Sequence, residues 1–87
     1  MHAVVVRVAI SDVEAATNDL RENVVPGASQ APGFVAGYWT RKDNTGLSMI
    51  VFDSEEAAQG VAERLPGMLP DSVDLQGVEV REVVANA

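Results

Sequence analysis

The order in which apolar runs follow one another constrains this chain more than any other feature. Residues 2–10 (HAVVVRVAI) are rich in β-branched valine and read as a strand. An amphipathic helix is predicted over 12–25, strands over 34–41 and 47–53, a second helix over 54–65 and a last strand over 74–84. The succession β-α-β-β-α-β in 87 residues predicts a split βαβ, ferredoxin-like α+β sandwich. Its sheet is four-stranded and antiparallel, with the expected order 4-1-3-2, and both helices lie on one face. A chain this short makes one domain, residues 1–87.

Side chains alternate along a strand, so Val4, Val6, Val8 and Ile10 share one face of the first strand. Ala3, Val5, Arg7 and Ala9 share the other, and only Arg7 breaks its apolar character. Two helices cover one face of such a sheet. Apolar residues left on the other need a partner, which predicts an isologous two-fold homodimer.

The helix boundaries are set by short-range chemistry. Ser11 and Glu14 have capping-box spacing, with Ser11 as the expected N-cap. Val13, Ala16, Thr17, Leu20 and Val24 follow at helical spacing, and Pro26-Gly27 is the expected stop. Lys42 to Gly46 supply turn residues between two strands that must be antiparallel neighbours. Asp53 or Ser54 caps the second helix, whose buried stripe is Ala57, Ala58, Val61, Ala62 and Leu65. Ser11…Glu14-Ala15-Ala16 resembles Asp53…Glu56-Ala57-Ala58, a faint internal repeat in which each copy follows a strand and opens a helix.

Thirteen acids against six bases give a net charge of −7. Arg7, Arg21, Arg41, Lys42, Arg64 and Arg81 are scattered, with only Arg41-Lys42 adjacent in an expected turn, and nucleic-acid binding is not expected without a basic stripe. No apolar run approaches the roughly 18 residues that span a bilayer. The start, MHAVVVRVAI, has no basic n-region and no A-x-A site, so no secretory leader is expected and a cytoplasmic location is the default. There is no cysteine to serve as a nucleophile or thiolate ligand. One histidine without a matching acid-histidine spacing predicts no metal site.

Residues 32–58 carry a resemblance. Pro32-Gly33-Phe34 enters the second strand and Gly37-Tyr38-Trp39 continues it. Val51-Phe52-Asp53 ends the third strand, and Ser54-Glu55-Glu56-Ala57-Ala58 opens a helix. This succession is similar to the dimeric α/β-barrel superfamily, particularly the antibiotic-biosynthesis-monooxygenase-like proteins, and the segment order agrees over nearly the whole chain. The resemblance implies a homodimer whose two sheets pack into one barrel, with a small pocket between each sheet and its own helices. It implies one of two roles. One is a cofactor-independent oxygenase of a small aromatic or polyketide-like compound, needing neither metal nor flavin. The other is a non-catalytic small-ligand-binding or stress-response protein. The haem-degrading branch uses a histidine in the region of the second helix, whereas the only histidine here is His2.

Three residues are pocket candidates: Arg7, Tyr38 and Trp39. Tyr38 and Trp39 are adjacent on a strand and must point to opposite faces. One ring can line an aromatic-binding pocket, and either can be a packing anchor. Arg7 can hold a phenolate or another anion. It can equally form an ion pair with Glu79 or Glu82, or lay its stem on apolar surface with its head in water. No catalytic acid-base pair is legible in the sequence.

Overall fold

The first strand, β1 (His2–Ile10), begins and ends at the predicted residues. In this computed structural model, which describes all of residues 1–87, three more strands follow: β2 (Phe34–Lys42), β3 (Thr45–Phe52) and β4 (Val73–Glu82). They form one antiparallel sheet in the order β2-β3-β1-β4, the predicted arrangement read from its other edge. The helical segments are α1 (Val13–Asp19), α2 (Val25–Ser29) and α3 (Glu55–Arg64). The fold is therefore α+β and ferredoxin-like.

The core sits where α3 meets the sheet. Val4, Val6, Ile50, Phe52, Ala58 and Leu65 form one buried cluster. Their register explains it: Val4 lies opposite Ile50 on one side and Val80 on the other, so the even-numbered residues of β1 all face the helices. Phe52 is 1% exposed and meets Phe34 edge to face, with ring centroids 6.2 Å apart. Ala58 has no exposed surface, because a methyl group lets α3 lie directly against the strands. Gly33 reaches φ +83° just before β2, and a Cβ there would sit 2.5 Å from an Asp53 carboxylate oxygen.

Three local expectations are corrected. Asp12, not Ser11, caps α1: its carboxylate accepts from the Ala15 N–H at 3.0 Å, while the Ser11 hydroxyl donates to the Ser72 carbonyl. The expected stop at Pro26-Gly27 lies inside helix. A π turn over Leu20–Val24 links α1 to α2, with the Val25 N–H reaching back to the Leu20 carbonyl, and helix continues to Ser29. Pro26 has no N–H to donate and its ring crowds the turn before it, a conflict that a widened turn relieves. The β2–β3 loop is also tighter than expected. Lys42 already pairs with Thr45, leaving Asp43 and Asn44 as the turn, with Asp43 at φ 53°.

At α3 the reading holds. The Ser54 hydroxyl accepts from the Ala57 N–H at 3.2 Å, and Glu55 and Glu56 lie in the first turn.

Candidate functional site

Between the sheet and the first helical stretch lies a cavity of about 280 Å³. Volume arithmetic on the two facing surfaces explains it. The inner face of β3 carries Gly46 and Ser48 before it reaches Ile50 and Phe52, and α1 presents Ala16. Small residues on both sides leave a gap that large side chains would close. Val6, Val8 and Ile10 form the floor, Leu20 and Val24 the roof, and Trp39 a wall.

Trp39 is positioned by its own strand. It pairs with Ser48, which pairs in turn with Val6, so the register turns the indole toward the helices. The ring lies over Gly37: a Cβ there would meet its Cη2 at 2.6 Å and Cζ3 at 2.8 Å. Gly37 is the space the indole occupies. Thr17, Asp19, Arg41 and Ser48 bring polar groups to the same cavity. Asp19 also accepts a hydrogen bond from the Asn23 side chain at 2.8 Å. An apolar chamber with a few polar groups at its margin suits a small ring compound carrying a hydroxyl or carbonyl.

Of the three residues named from sequence, only Trp39 lines this cavity. Tyr38 pairs with Met49 on the opposite, open face of the sheet and is 67% exposed. Arg7 lies on that open face as well, between Leu47 and Gly77, and is exposed rather than buried. Neither Glu79 nor Glu82 pairs with it. Glu79 instead meets Arg81 at 3.0 Å. His2, the only histidine, begins β1 and packs against the start of α3. Its side chain is 21% exposed, its Nε2 lies 3.4 Å from a Glu55 carboxylate oxygen, and its Nδ1 is buried without a partner.

Asp19, Thr17, Arg41 and Ser48 were not singled out as site residues from sequence. A signal for the cavity did exist in the small inward set Gly46 and Ser48 opposite the small helical residue Ala16. A volume deficit marks a hole only once strand register shows that the small residues face one another.

The open face carries its own pattern. Tyr38, Leu47 and Met49 are 67%, 51% and 46% exposed there, beside Val5, Val51 and Ala36. These residues are contiguous across β2, β3 and β1. No family model matches the chain, and no curated protein matches it. No helix is long and apolar enough to cross a membrane.

Proposed function

We propose that this protein binds a small, largely apolar ring compound in the cavity between its sheet and first helical stretch. The observation that carries the reading is the chamber itself: about 280 Å³, walled by Trp39 and aliphatic side chains, with polar groups confined to a few positions. That volume lies near the lower end of ligand clefts, roughly 300–1,000 Å³, which selects small rings over extended substrates. Trp39 offers a face for stacking, and Ser48, Thr17 and Arg41 offer hydrogen bonds to an oxygen substituent.

Trp39 is the only tryptophan, so its fluorescence reports occupancy directly. Titration with naphthol-type and anthrone-type compounds is expected to quench it saturably, and Trp39→Phe is expected to abolish the signal. Linear, unsaturable quenching by every compound would overturn the reading.

A second reading is favoured by Asp19, the one carboxylate at the cavity. In a cofactor-independent oxygenase of the monooxygenase-like family that the sequence resembles, a deprotonated substrate would itself reduce dioxygen. One oxygen atom would enter the product and the other would leave as water. Asp19 is the group available to take the substrate proton. Oxygen uptake with an anthrone-type substrate, lost in Asp19→Asn while quenching by the same compound persists, supports catalysis. Quenching without uptake supports binding alone.

The open sheet face supports a homodimer. Only nine of 87 residues are buried within one chain, a thin core for a folded domain, while Tyr38, Leu47 and Met49 remain exposed together. Pairing this face with a second copy across a two-fold axis would remove that surface from water. Sedimentation is expected to give twice the 9.2 kDa chain mass, and Met49→Lys is expected to return it to one. A monomer at high micromolar concentration would exclude the dimer.

A further inference from the structure

Three of the six basic residues, Arg7, Arg41 and Lys42, border one depression of about 400 Å³ near the β2–β3 turn. We propose that this depression binds a phosphate-class dianion, at a site that adjoins the apolar cavity and shares Arg41 with it.

Arg7 lies more than thirty positions before the adjacent pair Arg41-Lys42, and strand pairing brings it to them. Arg7 pairs with Leu47, Arg41 with Gly46 and Lys42 with Thr45, so the three lie within two rungs of one another at one end of the sheet. In a chain of net charge −7, acids outnumber bases everywhere else, so clustering half the cations works against the average. Like charges held close cost stability unless something neutralises them. No carboxylate of the chain does so. The two ion pairs of the molecule are His2–Glu55 and Arg81–Glu79, and neither includes these residues. Asp43 in the turn, Asp74 opposite Ala9 and Glu79 opposite Val5 are the acids nearest by register; the two aspartates make no ion pair, and Glu79 pairs with Arg81.

The backbone around Arg7 is shaped for it. β4 has a bulge opposite Arg7 and Val8, where pairing steps from Gly77 to Leu75 and leaves Gln76 unpaired. The bulge sends Gln76 to the same depression, adding an amide donor. Gly77 provides the bed for the guanidinium: a Cβ at that position would lie 3.3 Å from Nη2 and 3.6 Å from Nε of Arg7. Arg41 is oriented by donating from Nη1 to the Asp43 carbonyl at 2.9 Å, which leaves its remaining donors free. The Arg7 guanidinium fork and the Lys42 ammonium on the open face, with Arg41 bordering from the helix side, match a doubly charged tetrahedral anion better than a single carboxylate. Arg7, Lys42 and Leu47 put the site at the hairpin end of the open face, where Leu47 also belongs to the apolar patch of Tyr38 and Met49, while Arg41, opposite Gly46, lies on the helix side.

The test is a titration of isotope-labelled protein with inorganic phosphate at constant ionic strength, followed by amide and arginine Nε resonances. Saturable shifts confined to Arg7, Arg41, Lys42, Gln76 and Gly77 are expected, and Arg7→Met or Lys42→Met is expected to weaken binding about tenfold, the loss of one charge-assisted hydrogen bond. Gly77→Ala, which keeps every charge but moves the guanidinium, is expected to weaken it too. Methyl phosphate in place of inorganic phosphate distinguishes a phosphomonoester ligand from free phosphate, since only the former tolerates the added methyl without loss. Shifts equal to those from chloride or acetate, shifts spread over the surface, or full binding in Arg7→Met would each overturn the proposal. Arg7, Lys42 and Gly77 do not line the ring cavity, so the outcomes in these variants are read apart from ring binding at Trp39.

Discussion

The two helical halves treat the same sheet differently. Their openings are near copies: Asp12 caps through the Ala15 N–H and Ser54 through the Ala57 N–H, and each cap is followed four residues on by a buried alanine, Ala16 or Ala58. Beyond that point they diverge. Over α3 the sheet presents Val4, Ile50 and Phe52, and the helix closes on them with Ala58 and Leu65. Over α1 the sheet presents Gly46 and Ser48, and the helix continues through a π turn past Pro26 to Ser29. One half becomes core and the other becomes a chamber. The same capping chemistry thus starts both helices, and the side chains beneath decide whether a helix packs or roofs a cavity.

The sharpest way to test this contrast is to remove the anchor of the closed half. Phe52→Ala is expected to cost about 3–5 kcal/mol in denaturant unfolding, a large share of what a domain of this size holds. A loss under 1 kcal/mol would mean the closed half is not the folding core. Filling the open half should do the reverse. Ser48→Leu is expected to weaken ring binding at least about tenfold while stability stays within about 1 kcal/mol, because the added carbons enter empty space. A strong destabilisation would show that the chamber is smaller than its geometry indicates. The caps give the smallest effect. Asp12→Ala and Ser54→Ala remove equivalent bonds worth about 1 kcal/mol each. Ser54→Ala is expected to lower global stability. Asp12→Ala is expected to raise amide exchange locally over residues 13–24, since that stretch is less tightly tied to the core. Identical exchange patterns would erase the distinction.

Much of this was legible in the residues. Alternating valines fixed β1 to the residue, and Ser54 with Glu55 and Glu56 marked the start of α3. Adjacency on a strand told that Tyr38 and Trp39 face opposite ways, and pairing decided which: Trp39 turns to the cavity through Ser48, Tyr38 to the open face through Met49. Arg7 was visible as the charge in an apolar strand. Its surroundings were not, because its neighbours Leu47 and Gly77 are far away in sequence. The helix through Pro26 was missed because proline within a helix normally ends it, and a π turn is a solution no local pattern announces.

The element order, the antiparallel sheet and the start of α3 were written in the residues, because these depend on side-chain period and on bonds within four residues. Tertiary structure decided where the chain is full and where it is hollow. It also decided that Arg7 borders one depression with the distant pair Arg41-Lys42, since volume and charge density depend on which distant residues the strand register sets side by side.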